Sequence, residues 1–172
     1  MSLLINGSNR EQNCYRILND IKNDNDSFIS LSNKDIKYCL GCNKCIEKID
    51  KYCILNDFIT NEVYPQMIGS DEIIIACPIY MSSINGIVKN LIDRLYPFFH
   101  NGLLVNKRIY LVLTGSGTYE ENVEEINDII KYFNGISEWM LFELTFLDYF
   151  CVENMNDEYL TKISNIKKML QK

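Results

Sequence analysis

Residues 71–86 read Asp71-Glu72-Ile73-Ile74-Ile75-Ala76-Cys77-Pro78-Ile79-Tyr80-Met81-Ser82-Ser83-Ile84-Asn85-Gly86. The stretch Asp71 to Cys77 has strand length, is rich in β-branched residues and lacks the polar alternation of a half-exposed strand. Such a run suits a strand buried on both faces of a sheet. Pro78, which has no amide hydrogen, is expected to halt it. Gly86 to Phe98 then carries Ile87, Leu91, Ile92 and Leu95 at helical spacing. A doubly buried strand followed by an amphipathic helix is the repeating unit of an α/β sheet.

Working outward, the same alternation recurs. Towards the N-terminus, Ser2 to Asn6 is a short apolar strand and Asn13 to Ile21 a helix with Ile17, Leu18 and Ile21 inward. Ser27 to Leu31 is a second strand, and Asp57 to Met67 a helix. Towards the C-terminus, Arg108 to Thr114 is a buried strand and Glu120 to Phe133 a helix that begins acidic and is expected to stop before Gly135. Trp139 to Phe150 reads as a long strand region, and Asp157 to Leu170 as an amphipathic closing helix. Five strands separated by helices imply a doubly wound parallel sheet in one domain spanning residues 1–172. Residues 32–56 have no sustained period and form an inserted cysteine-rich loop.

Composition removes several function classes. At 172 residues with 47% hydrophobic side chains, the chain suits one domain with a packed core. A net charge of −6 without a basic block argues against nucleic-acid binding through phosphates. No apolar run approaches the roughly 20 residues of a membrane span. The N-terminus is too short and uncharged for a secretory signal, so a cytoplasmic location is expected. In that setting, seven cysteines with four crowded between Cys39 and Cys53 suggest metal or redox chemistry rather than a disulfide framework.

In doubly wound sheets, ligands bind beyond the carboxyl ends of the strands near the switch point. Three polar loops fall there: residues 7–15, 78–86 and 114–119. The first runs into a helix, whose unpaired amides suit a phosphate, with Arg10 available for a charge-assisted bond; it is equally a plain capped turn. It is neither GxGxxG nor a P-loop. The second offers Pro78, Tyr80 and Met81 as an edge for a flat heteroaromatic ligand, or as ordinary packing. The third, Thr114-Gly115-Ser116-Gly117, brings backbone close to a ring or is a flexible connection.

Taken in order, Gly7-Ser8-x-Arg10, Cys39-x-Gly41-Cys42-x-x-Cys45, Cys53, Asp57, Pro78-x-Tyr80 and Lys89-x-x-x-Asp93-Arg94 form a specific set. Together they resemble the flavodoxin-like NADPH-dependent FMN reductase family, in its iron–sulfur flavoprotein branch. The resemblance covers roughly residues 3–118. It implies that Ser8, Arg10 and Asn13, with the backbone of Cys14 and Tyr15, hold the phosphate of FMN. Pro78, Ile79, Tyr80, Met81 and Ser82 would line the isoalloxazine, with Gly115 and Ser116 on its other side. Lys89, Asp93 and Arg94 match a segment read as structural. One departure is that Asn13-Cys14 follows Arg10 after only two residues, so either the loop is a residue shorter or Cys14 replaces the family's Asn. Trp139 to Phe150 carries more apolar surface than one central strand can bury, and Leu95, Tyr96, Phe98 and Phe99 add an aromatic group, so a homodimer or tetramer is expected; the resemblance adds that FMN lies near the interface.

The spacing Cys39-x2-Cys42-x2-Cys45-x7-Cys53 places three thiolates around one compact loop, as in ferredoxin-type [4Fe–4S] binding. Structural zinc favours two separated pairs instead. Cys53 would close the site after an excursion through residues 46–52. Free thiols or a disulfide, left after loss of a cluster, are the bland reading. Cys77 reads as packing, Cys14 and Cys151 lack a partner at ligand spacing, and His100 reads as structural. No catalytic side chain is assigned. The expectation is an FMN oxidoreductase with a [4Fe–4S] cluster, taking electrons from NAD(P)H or a ferredoxin-type partner. The rivals are a flavodoxin-like carrier, a cluster-free NAD(P)H reductase of FMN or quinone, and a metal-stabilised binding module.

Overall fold

The computed structural model describes residues 2–47, 52–153 and 157–171. Strands β1 (Ser2–Asn6), β2 (Ser27–Ser30), β3 (Glu72–Tyr80), β5 (Arg108–Gly115) and β6 (Glu143–Cys151) form one parallel sheet in the order β2-β1-β3-β5-β6. A two-residue strand, β4 (Ser83–Ile84), adds an antiparallel hairpin to β3. Leaving that hairpin aside, this is the flavodoxin-like strand order, with its switch point between β1 and β3.

Alternate residues of the central strands feed opposite cores, which is why Ile73 to Cys77 is apolar without interruption. Leu4, Ile74, Ala76, Tyr110 and Val112 pack under α1 (Asn13–Ile21) and α7 (Asp157–Leu170). Leu3, Ile5, Ile73, Ile75 and Ile109 face α3 (Tyr64–Gly69), α4 (Gly86–Arg94) and α5 (Tyr96–Asn101). Farther along that face, Cys77, Leu111 and Leu113 meet α6 (Val123–Met140). The remaining helix, α2 (Lys44–Glu47), is one short turn in the cysteine-bearing segment.

Several sequence expectations are corrected. β3 does not halt at Pro78 but continues to Tyr80. β1 has already ended opposite Ala76, and Pro78 pairs with Thr114 on the β5 side. The chain then reverses at Met81 and Ser82, both at positive φ (50° and 57°), creating a sixth strand that carries no Asn-Gly signal. The helix expected over 86–98 is two helices, because Pro97 lacks a donor and Leu95 leaves helical geometry at ψ 2°. The helix expected over 57–67 begins as a π-turn (Ile59–Val63) before α3.

Gly135 does not stop α6. An isolated glycine costs a helix about 1 kcal/mol without ending it. α6 continues to Met140, and Leu141 at φ 58° closes it. Trp139 is therefore helical, and the last strand starts at Glu143 on an edge of the sheet rather than at its centre. Among the described residues, no helix is long and apolar enough to cross a membrane.

Candidate functional site

The loop after β1 is held by the strands beside it. Gly7 N–H donates to the Ala76 carbonyl at 2.9 Å. A Cβ on Gly7 would lie 2.3 Å from Val88 Cγ2 and 2.8 Å from that carbonyl, so β1 approaches β3 and α4 this closely only with glycine. Asn6 accepts the Ser8 amide at 3.2 Å, and Ser8 Oγ accepts the Arg10 amide at 3.1 Å. Asn85 caps α4 by accepting from the Val88 amide at 3.1 Å, and its own amide donates to the Gly7 carbonyl at 2.6 Å.

These constraints bring three loops to one cavity of about 230 Å³ at the switch point. Of the residues assigned from sequence, Ser8, Arg10, Asn13, Cys14, Pro78, Ile79, Tyr80, Gly115 and Ser116 line it. Tyr15, Met81 and Ser82 do not. Tyr15 turns its ring against Phe28 at 5.1 Å, Met81 is 98% exposed at the hairpin tip, and Ser82 Oγ donates to Glu125 Oε1 at 3.2 Å. Gln12, Thr114 and Val152 also line the cavity and were not assigned. Thr114 and Val152 stand at strand ends, where position in the sheet is the only signal.

The first turn of α1 has no side-chain cap and no acidic residue, and it opens on this cavity beside Arg10. Uncapped amides at the positive end of a helix dipole, with a guanidinium alongside, make an anion site. Cys14 lies beneath, its Sγ 3.3 Å from Thr114 Oγ1, and burial pushes its thiol up to about 11. Cys77 is fully buried and pushed to about 12 for the same reason. Both are neutral packing thiols. His100 stacks edge-on between Tyr96 and Phe99, away from this cavity.

The second cluster lies at the other end of α4. Cys39, Cys42, Cys45 and Cys53 line one small cavity of about 40 Å³ with Asp93, Arg94 and Tyr96. Gly41, at φ 59°, makes the tight turn between the first two. Burial raises the Cys45 thiol, and the charges of Cys53, Cys42 and Cys39 add to it. Among the described residues, no three His, Cys, Asp or Glu side chains stand already grouped around a metal position. Residues 48–51 of the excursion before Cys53 lie outside the described residues.

That segment is anchored by a buried ion pair. Arg94 donates to both carboxylate oxygens of Asp57, at 2.7 and 3.1 Å, and to the Lys37 carbonyl at 2.7 Å. The Lys37 amide returns a bond to Asp57 at 2.9 Å, and Tyr64 donates to the Arg94 carbonyl. Burial pushes the Asp57 carboxyl up, but Arg94 and the amides of Lys37 and Thr60 more than reverse this, leaving it below the ordinary carboxylate value. The structural reading of Arg94 holds. Lys89 and Asp93 form an exposed pair one turn apart.

The family model for NADPH-dependent FMN reductases matches residues 2–135. The chain belongs to that family. As an FMN reductase family member it is similar to an iron–sulfur flavoprotein of Archaeoglobus fulgidus, 31% identical over 105 residues, which are 60% of this chain and 46% of the relative. An iron–sulfur flavoprotein of Methanosarcina thermophila is 25% identical over 135 residues, 72% of this chain and 69% of the relative. The chain spans about half the length, or less, of the first curated relatives it matches. Among solved structures, the Trp repressor binding protein from Bacillus subtilis superposes with a TM-score of 0.69 at 14% identity, covering 100% of both chains. An azoreductase from Bacillus anthracis superposes with a TM-score of 0.62 at 18% identity, covering 99% of this chain and 96% of that one. These likenesses show the flavodoxin-like fold. The family supports FMN as cofactor.

Proposed function

We propose that this family member is an FMN-dependent oxidoreductase using reduced nicotinamide or a ferredoxin-type donor, with a [4Fe–4S] cluster on Cys39, Cys42, Cys45 and Cys53. The observation that carries the flavin half is the convergence of Ser8, Arg10, Asn13, Pro78, Tyr80, Gly115 and Ser116 on one cavity that contains an uncapped helix N-terminus. Ser8, Arg10 and the first amides of α1 would hold the phosphate. Pro78, Ile79 and Tyr80 would flank one side of the ring, with Gly115 and Ser116 opposite. Cys14 and Thr114 close the floor and exclude water.

The cluster half rests on the four thiols sharing one cavity and on the relatives named iron–sulfur flavoproteins. FMN held there would supply hydride acceptance and a cluster on the four thiols would supply one-electron transfer, a combination that would link two-electron and one-electron carriers. The protein residues need only bind and orient. The second reading, a reductase without a cluster, is favoured by one observation: the described cysteines are not pre-grouped around a metal position. The setting proposed is the cytoplasm, with no nucleic-acid partner.

Anaerobically purified protein is expected to show a flavin spectrum, to release FMN, and to contain about four iron and four sulfide per chain. It should oxidise a reduced nicotinamide faster when a one-electron acceptor is added. Recovery of FAD, or of no flavin, would end the proposal. Flavin with no iron in such a preparation selects the second reading.

A further inference from the structure

β6 carries one residue too many for its partner. Leu111 pairs with Phe146, but the next residue, Val112, pairs with Asp148, leaving Leu147 as a bulge. Side chains alternate along a strand, so one added residue reverses every face beyond it. Leu144 and Phe146 face the α6 core before the bulge, and Tyr149 and Cys151 face it afterwards. Leu147 and Asp148 both turn to the other side, Leu147 into the α1–α7 core and Asp148 to Lys162 of α7 at 3.2 Å. Asp148 also accepts the Tyr149 amide at 2.7 Å, and Lys162 donates to the Tyr149 carbonyl at 2.6 Å. The bulge is thus held by two charged side chains. With an unbroken register, Asp148 would stand opposite Leu113 in place of Tyr149.

The reversal places the Tyr149 hydroxyl under the loop that follows β5. It is shared between the carbonyls of Ser116 and Gly117, at 3.1 and 3.0 Å, and a Cβ on Gly115 would lie 2.9 Å from it. The ring is 1% exposed and does not line the cavity, whereas Gly115 and Ser116 do. The Ser116 carbonyl also accepts from Asn122 Nδ2 at 2.8 Å, so Tyr149 from below and Asn122 from outside fix that peptide together. The Thr118 amide is taken by Glu121 at 2.7 Å, which holds the far side of the turn.

We propose that Tyr149, aimed by the β6 bulge, is a positioning residue that sets residues 115–117 against the flavin ring. The assignment rests on the FMN reading of the cavity. It goes beyond the family match, which ends at residue 135. Tyr149 acts through the loop and takes no proton in turnover; burial, with the charges around Cys151 and Glu121, pushes its hydroxyl up to about 12, so it remains a donor.

The test compares wild type with Tyr149→Phe, which deletes one oxygen and keeps the ring. Four readouts are taken: FMN titration by fluorescence, the visible absorption of the bound flavin, hydrogen exchange of amides 116–118 in the flavin-free protein, and the melting temperature of that flavin-free protein. The variant is expected to bind FMN roughly threefold to tenfold more weakly, with faster exchange at 116–118 and a shifted visible flavin band. Its flavin-free melting temperature should stay within about 4 °C of wild type. Unchanged FMN affinity, or unchanged exchange at 116–118, overturns the assignment. A larger melting loss with affinity restored at low temperature assigns Tyr149 to the core alone and overturns it too. A wild-type chain that fails to bind FMN overturns the functional reading as well, which separates the two failures.

Discussion

On the proposed FMN reading, Arg10 serves binding rather than stability. Its amide is fixed by Ser8 Oγ, yet its side chain is exposed at the mouth of the cavity, beside the uncapped start of α1. Arg10→Ala is therefore expected to lower FMN affinity roughly tenfold to a hundredfold, the range of a lost charge-assisted hydrogen bond. Far-UV dichroism and iron content should not change. An FMN titration that superimposes on wild type would remove Arg10 from the site. Gly7 is the opposite case, since it does not line the cavity but permits the close approach on which the loop's position depends.

At the scale of elements, α4 is the connection between the two cavities. Asn85 at its start grips the Gly7 carbonyl, and Arg94 at its end grips Asp57 and Lys37. Removing one partner of a buried bidentate pair leaves an uncompensated charge, so Asp57→Ala should cost about 3–5 kcal/mol in urea unfolding. The pair also fixes an acid limit. The folded-state carboxyl titrates below its ordinary value of 3.8, so the folded protein binds fewer protons than the unfolded chain in that interval. The stabilisation is fully present above pH 3.8 and is lost as the pH falls through the folded value. Wild type should lose stability faster than Asp57→Asn below pH 3.8; parallel acid-unfolding curves would contradict this.

For the whole molecule, the faces left bare are informative. An apolar cavity of about 690 Å³ lies between α4, α5 and α6, lined by Tyr96, Phe99, Tyr132 and Trp139. Trp139 is 76% exposed, and its ring lies 6.4 Å from Phe99. Apolar patches of this kind mark interfaces. The reading from sequence placed the surplus on a strand from 139 to 150 and on Leu95, Tyr96, Phe98 and Phe99; Phe142, Tyr149, Phe150, Leu95 and Phe98 are buried, and the exposed surplus is Trp139 at the end of α6 with Tyr96 and Phe99 of α5. We propose a second copy of the chain as its cover, giving a homodimer or a tetramer of dimers. Light scattering at micromolar concentration should exceed the 20.1 kDa of one chain, and Trp139→Glu should shift it towards that mass. A wild-type monomer with FMN bound would exclude the arrangement.

Apolar patterning alone sets the layers and the loops that matter. Ile73 to Cys77 has to be buried on both faces, and helical spacing beside it has to cover the sheet, so the ends of β1, β3 and β5 fall together at the switch point. The rest depends on contacts made in the folded chain. Pro78 lies within β3 because β1 has already ended beside it, and Gly135 lies within α6, despite the turn dipeptide Asn134-Gly135, because Ile136 and Met140 continue the helix's packed face beyond it. Met81 and Ser82 make a tight turn at positive φ with neither Gly nor Asn to announce it. The bulge at Leu147 is silent in the sequence, since apolar residues at 144, 146, 147, 149 and 150 suit either register. The pairing of Asp148 with a lysine on the following helix selects one, and with it the face on which Tyr149 appears. Local pattern specifies which faces are apolar; which residue faces which partner is settled by contacts between segments distant in the chain.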